Sequence, residues 1–374
     1  MASIVPVPYA VAAAVAVLAA ALLYSFATFD PAVFPEYELA LAAPKRNNRM
    51  LSGSERIGEG ELVSPEDIAH EPQTGLIYTG GEDGWISKVA FKDSVAESVV
   101  EKWVNTGGRP LGIAHGFHGE VIVADAFKGL LNISRDGVIQ VLTDEAEGLK
   151  FKFTDAVDIG PDGKLYFTDA SYKYNVDQAF LELMEGRPHG RFLSYDPSTK
   201  KTTILLKDLY FANGVTLSAD QTFVIVCETV MMRCKKYYIK GPRAGSVEMF
   251  VDNLPGLPDN IRHDGDGLYW IALATDSSFS KMLRQRPWIR KAIAMLDKYG
   301  LRPKTERNGG TIAVNLEGKA VAHYYDADVS YATCCNKLSH YLYCGSLISP
   351  YITRLDLTLF PATATATATT TLPS

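Results

Sequence analysis

One short pattern recurs along the chain and constrains the fold more than any other feature. Each copy carries a polar turn, a short strand, a Gly-containing hairpin and a second, apolar strand. The clearest copy runs Leu257-Pro258-Asp259-Asn260-Ile261-Arg262-His263-Asp264-Gly265-Asp266-Gly267-Leu268-Tyr269-Trp270-Ile271-Ala272. Others open at Pro65-Glu66-Asp67-Ile68, Pro110-Leu111-Gly112-Ile113, Thr154-Asp155-Ala156-Val157 and Asn213-Gly214-Val215, with a degenerate version near Leu338 to Leu347. The copies begin near residues 65, 110, 154, 213, 258 and 335. A base period of about 45 residues is that of a four-stranded propeller blade, and the two longer gaps read as insertions. Strand-like alternation dominates, and no strand–helix–strand pattern interrupts it. Closing such strands into a ring removes long exposed edges. The expectation is an all-β chain, a six-bladed β-propeller with two helical insertions and an N-terminal membrane anchor or signal helix. At 374 residues the chain is long for an ordinary domain but suits such a ring.

Four regions follow. Residues 1–29 form a transmembrane anchor or a signal peptide: no charge occurs from Val5 to Phe29, and roughly 20 apolar residues span a bilayer. A cleaved signal is the rival reading, with Ser25 and Ala27 near a cleavage site. Lys45, Arg46 and Arg49 follow the apolar run and, by the positive-inside rule, weigh against a lumenal body. The sequon Asn132-Ile133-Ser134 weighs for one, with Asn132 as the glycosylation candidate. Residues 30–50, with Pro31, Pro35 and Pro44, read as a linker; 51–360 hold the propeller; 361–374 read as a disordered Ala/Thr tail.

The insertions carry helical periodicity. The first places a helix near Asp177 to Glu185, with Phe180, Leu181 and Met184 on one face. The second spans Ser277 to Arg307 and predicts a helix from Pro287 to Tyr299, since proline suits a first helical turn. Trp288, Ile289, Ala292, Ile293 and Leu296 make its apolar stripe, and Arg284, Arg286, Arg290, Lys291 and Lys298 make it basic. Such a helix caps the channel mouth, lies on a membrane surface, or simply packs on the propeller.

Net charge is −6, so no global field attracts nucleic acid, and no basic run suggests it. Among five cysteines no metal-finger spacing occurs, and adjacent Cys334-Cys335 is poor chelate geometry. Cys227 and Cys234 either pair across a hairpin or remain buried thiols. There is no Gly-x-Ser-x-Gly elbow, Walker loop or dinucleotide fingerprint.

If the copies superimpose, the polar residues before each first strand converge on the channel: Glu66, Thr154 or Asp155, Asn213, and Asp259 with Asn260. Carboxylates with amide carbonyls form the hard-oxygen set that Ca²⁺ prefers. The same residue types also serve as ordinary turn formers. His115, His189 and His263 lie near blade turns, as does His70, and the first three are the candidate catalytic bases.

Several stretches, taken together, resemble the strictosidine synthase-like family. They are Phe153-Thr154-Asp155-Ala156-Val157-Asp158-Ile159, His189-Gly190-Arg191-Phe192-Leu193-Ser194-Tyr195-Asp196-Pro197, Phe211-Ala212-Asn213-Gly214-Val215, and Asn253-Leu254-Pro255-Gly256-Leu257-Pro258-Asp259-Asn260-Ile261. The resemblance runs from about Ser64 to Leu357 and is strongest to membrane-anchored plant members, which are similar to animal adipocyte plasma membrane-associated protein. It implies a propeller of the endomembrane system, in the endoplasmic reticulum membrane or vacuole, distantly akin to calcium-dependent paraoxonases and gluconolactonases. By that kinship Glu66, Asn213, Asp259 and Asn260 match calcium ligands, and Thr154 stands where a further asparagine is expected, with Asp155 adjacent. The paraoxonase histidine is absent, since the chain has Pro110-Leu111-Gly112 there. The synthase's catalytic glutamate, expected shortly before Leu342-Tyr343-Cys344-Gly345, is also absent: no acid occurs between Asp328 and Asp356. A carboxylate that moves a proton on an amine has no stand-in in Lys or His. The resemblance therefore implies a calcium-assisted hydrolase of a small ester or lactone. Pictet–Spengler condensation and a non-enzymatic binding scaffold are the alternatives.

Overall fold

The computed structural model describes residues 11–12, 15–17, 28–41, 43–44, 53–90, 94–301, 308–326 and 331–361. Six four-stranded antiparallel sheets form the body. Blade 1 comprises Ile68–His70, Ile77–Gly80, Trp85–Ala90 and Val99–Asn105; blade 2 comprises Pro110–His115, Val121–Asp125, Gly129–Ile133 and Ile139–Thr143. Blade 3 comprises Thr154–Ile159, Leu165–Asp169, Gly190–Asp196 and Lys201–Leu209; blade 4 comprises Ala212–Leu217, Phe223–Glu228, Arg233–Tyr238 and Val247–Val251. Blade 5 comprises Gly256–His263, Leu268–Asp276, Gly309–Asn315 and Ala320–Asp326. Blade 6 takes Ala332–Leu338, Tyr341–Ser346 and Ile352–Asp356 from late in the chain and its outer strand, Glu55–Ile57, from far earlier. That early strand carries no repeat signature, so the pattern could not reveal the closure.

The first strand of each blade is innermost, and these strands pack on one another around the axis. The core is divided among the interfaces between blades. Ile225 and Cys227 of blade 4, for example, pack on Ile261 and Ile271 of blade 5. Ala69 and Tyr78 of blade 1 pack on Ile113 and Val123 of blade 2. Blade 6 is fastened to blade 1 by Asn336 Nδ2 donating to the Ile68 carbonyl at 2.7 Å and Ser346 N donating to the Pro65 carbonyl at 2.7 Å.

Both insertions leave between second and third strands, on the side where the inner strands begin. Helix α1 is Ala179–Glu185, α2 is Ser278–Leu283 and α3 is Pro287–Lys298. The expected helices are present, and α2 is additional. The face α3 turns inward differs from the expected apolar stripe: Arg290, Ile293 and Ala294 are buried, whereas Trp288 is 72% exposed. Arg290 is inside because it serves as a polar tie. Its Nη1 donates to the Met184 carbonyl at 2.9 Å, and its Nη2 to the Ala32 carbonyl.

The described part of the expected linker is packed. Residues 28–41 cross the same side of the ring: Phe29 packs with Leu283, Ile293 and Ala294, and Phe34 with Leu111, Phe153, Phe211 and Val230. Asp30 N donates to Glu185 Oε1 at 2.8 Å, and Leu39 N donates to Asp252 Oδ2 at 3.1 Å. No helix among the described residues is long and apolar enough to cross a membrane. Most of the anchor or signal segment, and the tail from Ala362, lie outside the described residues.

Cys227 and Cys234 face each other on adjacent strands and form a disulfide. A second joins Cys335 to Cys344, leaving Cys334 as a buried thiol. The spacing could not reveal that pairing, because Cys334 and Cys335 alternate to opposite faces of one strand. Asn132 lies in the third strand of blade 2, half-buried and opposite Ile122 and Gln140, rather than in a surface loop.

Candidate metal centre in the channel

A repeated irregularity builds the site. In blades 2 to 6 the pairing of first and second strands slips by one residue near the start of the inner strand, so that two inner-strand residues stand opposite one. The slipped residues lie between Pro110 and Ile113, Thr154 and Val157, Ala212 and Val215, Pro258 and Ile261, and Ala332 and Cys335. Extra residues in a bulge leave the ladder and are re-aimed, here at the channel side of each blade. The pairs so released are Leu111-Gly112, Asp155-Ala156, Asn213-Gly214, Asp259-Asn260 and Thr333-Cys334. In blade 1, Glu66-Asp67 hold the equivalent place immediately before Ile68. Each pair precedes a fully buried Ile, Val or disulfide-bonded Cys that fixes the register.

Small residues in these pairs let neighbouring blades approach. A Cβ on Gly214 would lie 2.5 Å from the Asp259 carbonyl oxygen and 2.7 Å from Asn260 Cα. A Cβ on Gly112 would lie 2.5 Å from the Asp155 carbonyl oxygen. Threonines of the adjoining strands then fix the segments. Thr168 Oγ1 donates to the Asn213 carbonyl at 2.9 Å, Thr229 Oγ1 to the Pro258 carbonyl at 2.8 Å, and Thr333 Oγ1 to the Glu66 carbonyl.

Glu66, Thr154, Asp155, Asn213, Asp259 and Asn260 are all buried. Asn260 Nδ2 donates to Glu66 Oε1 at 2.8 Å, and Asn213 Nδ2 donates to Thr229 Oγ1 at 3.1 Å. Four oxygens of this set find no hydrogen-bond partner among the described residues: Glu66 Oε2, Thr154 Oγ1, Asn213 Oδ1 and Asn260 Oδ1. Buried polar atoms are almost always paired, so four orphans in one cluster point to a missing partner. Every one of them is an acceptor. The carboxyls also strain against one another. Glu66 is pushed well above the usual range by burial and then by the charges of Asp259 and Asp67. Burial and then Glu66 raise Asp155; burial and then Asp155 raise Asp259. Oxygen acceptors with excess negative charge fit Ca²⁺ better than a softer metal. Among the described residues no three His, Cys, Asp or Glu side chains are grouped to hold a metal by themselves. The fit depends on amides and a hydroxyl completing the set.

Two features escaped the sequence reading. Asp67, next to Glu66, accepts from Ile113 N at 3.0 Å and from Arg262 Nη2, so an ion pair from blade 5 to blade 1 lies beside the cluster. Arg262 follows Asn260 by two residues, and an Arg beside a carboxylate-bearing turn was the available signal. Arg109, immediately before the inner strand of blade 2, is buried with Nη1 unpartnered among the described residues, and Glu66 is the acid that acts on it most strongly.

Two of the three candidate histidines stand apart from this cluster, and the third is engaged elsewhere. His115 and His263 end their inner strands, three residues beyond Gly112 and Asn260, or about 10 Å along a strand. His115 Nε2 lies 3.5 Å from Glu71, and His263 Nδ1 accepts from Gly265 N at 3.2 Å in the hairpin. His189 sits in the helical insertion, with Nδ1 3.0 Å from Glu182 Oε2.

Family comparisons agree with this architecture. Residues 155–242 match the family model described as strictosidine synthase, and residues 45–89 match the strictosidine synthase-like N-terminal model. The chain is 54% identical over 346 residues to strictosidine synthase-like protein 7 of Arabidopsis thaliana, covering 91% of this chain and 92% of that one. It is 35% identical to adipocyte plasma membrane-associated protein of Rattus norvegicus, covering 93% of this chain and 98% of the relative. Among solved structures, a gluconolactonase from Xanthomonas campestris superposes with a TM-score of 0.59 at 13% identity, over 87% of this chain and 98% of that one. The calcium-binding protein regucalcin from Agrobacterium tumefaciens superposes at 0.57 with 15% identity, over 85% of this chain and 95% of its own. Those two likenesses speak to the fold, while the first two carry the lineage: the chain belongs to the strictosidine synthase-like family.

Proposed function

We propose that the protein is a Ca²⁺-assisted hydrolase of a small ester or lactone. The observation that carries this reading is the set of four partnerless acceptor oxygens on Glu66, Thr154, Asn213 and Asn260, beside the carboxyls of Asp155 and Asp259. Glu66, Asn213, Asp259 and Asn260 would hold the ion, with Asp155 and the Thr154 hydroxyl beside them. A cation held there supplies Lewis-acid polarisation of a carbonyl and stabilises the oxyanion that hydrolysis develops. Arg109 offers its unpartnered Nη1 as a second positive group on the same side of the ring. The Asp67–Arg262 pair and the threonine ties keep the oxygen-bearing backbone fixed, so little reorganisation accompanies binding. The gluconolactonase and regucalcin likenesses are consistent with this assignment at the level of scaffold.

Condensation of an amine with an aldehyde is the weaker reading. The inner strand of blade 6, Ala332–Leu338, carries Thr333 and Asn336 where a proton-transferring acid is required, and both are engaged with carbonyls of blade 1. A binding propeller with a structural ion is a second reading, favoured by the distance of His115 and His263 from the cluster. The chain would work in the endomembrane system or after secretion, a placement supported by its likeness to adipocyte plasma membrane-associated proteins.

The test is elemental analysis of the purified protein together with turnover of aryl esters and lactones before and after chelation. Bound calcium and chelator-sensitive turnover that Asp259→Ala removes are expected. Turnover unaffected by that substitution refutes the hydrolase, and bound calcium without turnover favours the binding propeller.

A further inference from the structure

Helix α3 presents an inverted face. Its buried side holds Arg290, Ile293 and Ala294. The opposite side carries Trp288 and Ala292, with Tyr299 just past the helix end, spaced i, i+4 and i+11, which places them on one stripe of a 3.6-residue helix; Met295 between them bends back to pack, partly buried, on the inner cluster. Trp288 is 72% exposed and Tyr299 57%. Leu296 at the stripe's edge, Met282 in α2 and Leu301 just beyond α3 are exposed as well. A helix that only packs on a propeller turns such side chains inward. Here an arginine went in and a tryptophan stayed out.

Charge and chain course identify the occupant. From Ser277 to Leu301 Asp297 is the sole acid, against Lys281, Arg284, Arg286, Arg290, Lys291 and Lys298. Arg284 and Arg290 are buried, while Arg286 and Lys298 are exposed beside the apolar stripe. An apolar ridge edged by basic side chains is the composition of a helix lying at a lipid headgroup boundary. The chain reaches this helix directly from its uncharged run of Val5 to Phe29. Phe29 packs against Ile293 and Ala294 on the helix's inner side, and Lys173 Nζ holds the Thr28 carbonyl at 2.8 Å. We infer that α3, with the adjoining ends of α2 and Leu301, is a membrane-docking face that inserts Trp288 and Tyr299 into the headgroup layer of an anionic bilayer. The inner strands begin on this same side, so docking turns the channel mouth toward the lipid.

Tryptophan emission tests this on the full chain, because a chain held by its apolar N-terminal run alone would not place Trp288 in lipid. The chain has four tryptophans; Trp85 and Trp103 are half-buried in blade 1 and Trp270 is buried in blade 5. The protein is mixed with vesicles of phosphatidylcholine and phosphatidylserine whose acyl chains carry bromine, and Trp288→Phe isolates the Trp288 signal by difference. Because an interfacial helix buries its apolar face about 5–10 Å into the boundary, quenching of that component by roughly twofold or more is expected. Lys291→Gln should weaken the docked fraction roughly fivefold in anionic vesicles and leave it unchanged in pure phosphatidylcholine. Unquenched Trp288 on vesicle-bound protein overturns the proposal, as does failure of the chain to associate with vesicles. Self-association that Trp288→Glu abolishes, with Trp288 unquenched, assigns the face to a second copy and also overturns it. Unchanged thermal melting of the variants shows that the body remains folded.

Discussion

Asn260 Nδ2 and Glu66 Oε1 lie 2.8 Å apart although 194 residues separate them in the chain. They belong to blades 5 and 1, with blade 6 between them, so the bond reaches across the channel side of the ring. Because the amide nitrogen is committed to Glu66, the amide oxygen is the atom left over. The same holds for Asn213, whose nitrogen is committed to Thr229. Two amides are thus oriented as acceptors by bonds on their nitrogen ends, which is the preparation a cation requires and a turn-forming asparagine lacks.

Calcium should therefore stabilise the fold. At a free concentration a thousandfold above Kd, a ligand that binds only the folded state adds about 4 kcal/mol. Thermal melts with calcium and with chelator should separate accordingly. Asn260→Ala and Asp259→Ala should collapse the two curves together.

Replacing His263 or His115 with Gln should leave turnover within about twofold, since neither imidazole reaches the oxygen cluster and neither can be the proton carrier at hydrogen-bond range. A loss of a hundredfold or more in either variant would place the reaction at the other end of the channel. Steady-state kinetics on the two variants decides this.

Glu228 provides a test by pH. It is buried, and Oε2 accepts from Arg233 Nε at 2.5 Å and from Lys235 Nζ at 2.9 Å, while Oε1 accepts from Tyr210 N at 2.9 Å. Burial lifts its carboxyl, but Lys235 and Arg233 pull it further down, and the balance lies below the ordinary value. An acid with a depressed folded pKa adds stability that is present above its unfolded pKa and lost as pH falls through the folded one. Glu228→Gln should cost about 3 kcal/mol at neutral pH by stranding two cations. In denaturant titrations the difference between the two proteins should shrink below about pH 4.

Thiol counting checks the covalent framework. Under denaturing, non-reducing conditions the chain should titrate one thiol, Cys334, and after reduction all five. Cys335→Ala should free Cys344 and cost roughly 2–4 kcal/mol, the usual range for a native disulfide.

The sequence carried the inner half of each blade well and the ring's seam poorly. Strand starts expected near 110, 154 and 213 are observed at Pro110, Thr154 and Ala212, because a glycine hairpin and period-two alternation are local signals. Glu66, Asp155, Asn213, Asp259 and Asn260 were legible as a set because the repeat superimposed them. What aimed them inward was a slip in strand register, and that has no local signature beyond Gly112 and Gly214. The α3 helix was legible as periodicity, but its orientation was not. Burying Arg290 depends on carbonyls at Ala32 and Met184, remote in sequence. Cys335–Cys344 was hidden by the neighbouring Cys334, since adjacency argues only against a chelate and does not say which of the two faces a partner strand.

Glu55–Ile57 pairs with Ile352–Asp356, and Arg354 Nε reaches Glu55 Oε2 at 2.7 Å across 299 positions of sequence. During synthesis the early strand has no partner until its mate emerges, which at about 5–20 residues per second leaves it waiting for tens of seconds. By the end of that interval blades 1 to 5 form an open arc whose two end sheets bare the apolar faces that blade 6 will cover, Ile68 and Ile77 at one end and Trp270 and Ala272 at the other. The strand at Ile352–Asp356 is thus a latch in time as well as space. A ribosome stalled shortly before it would release a protein with Glu66, Asp155, Asn213, Asp259 and Asn260 already made and no ring to hold them.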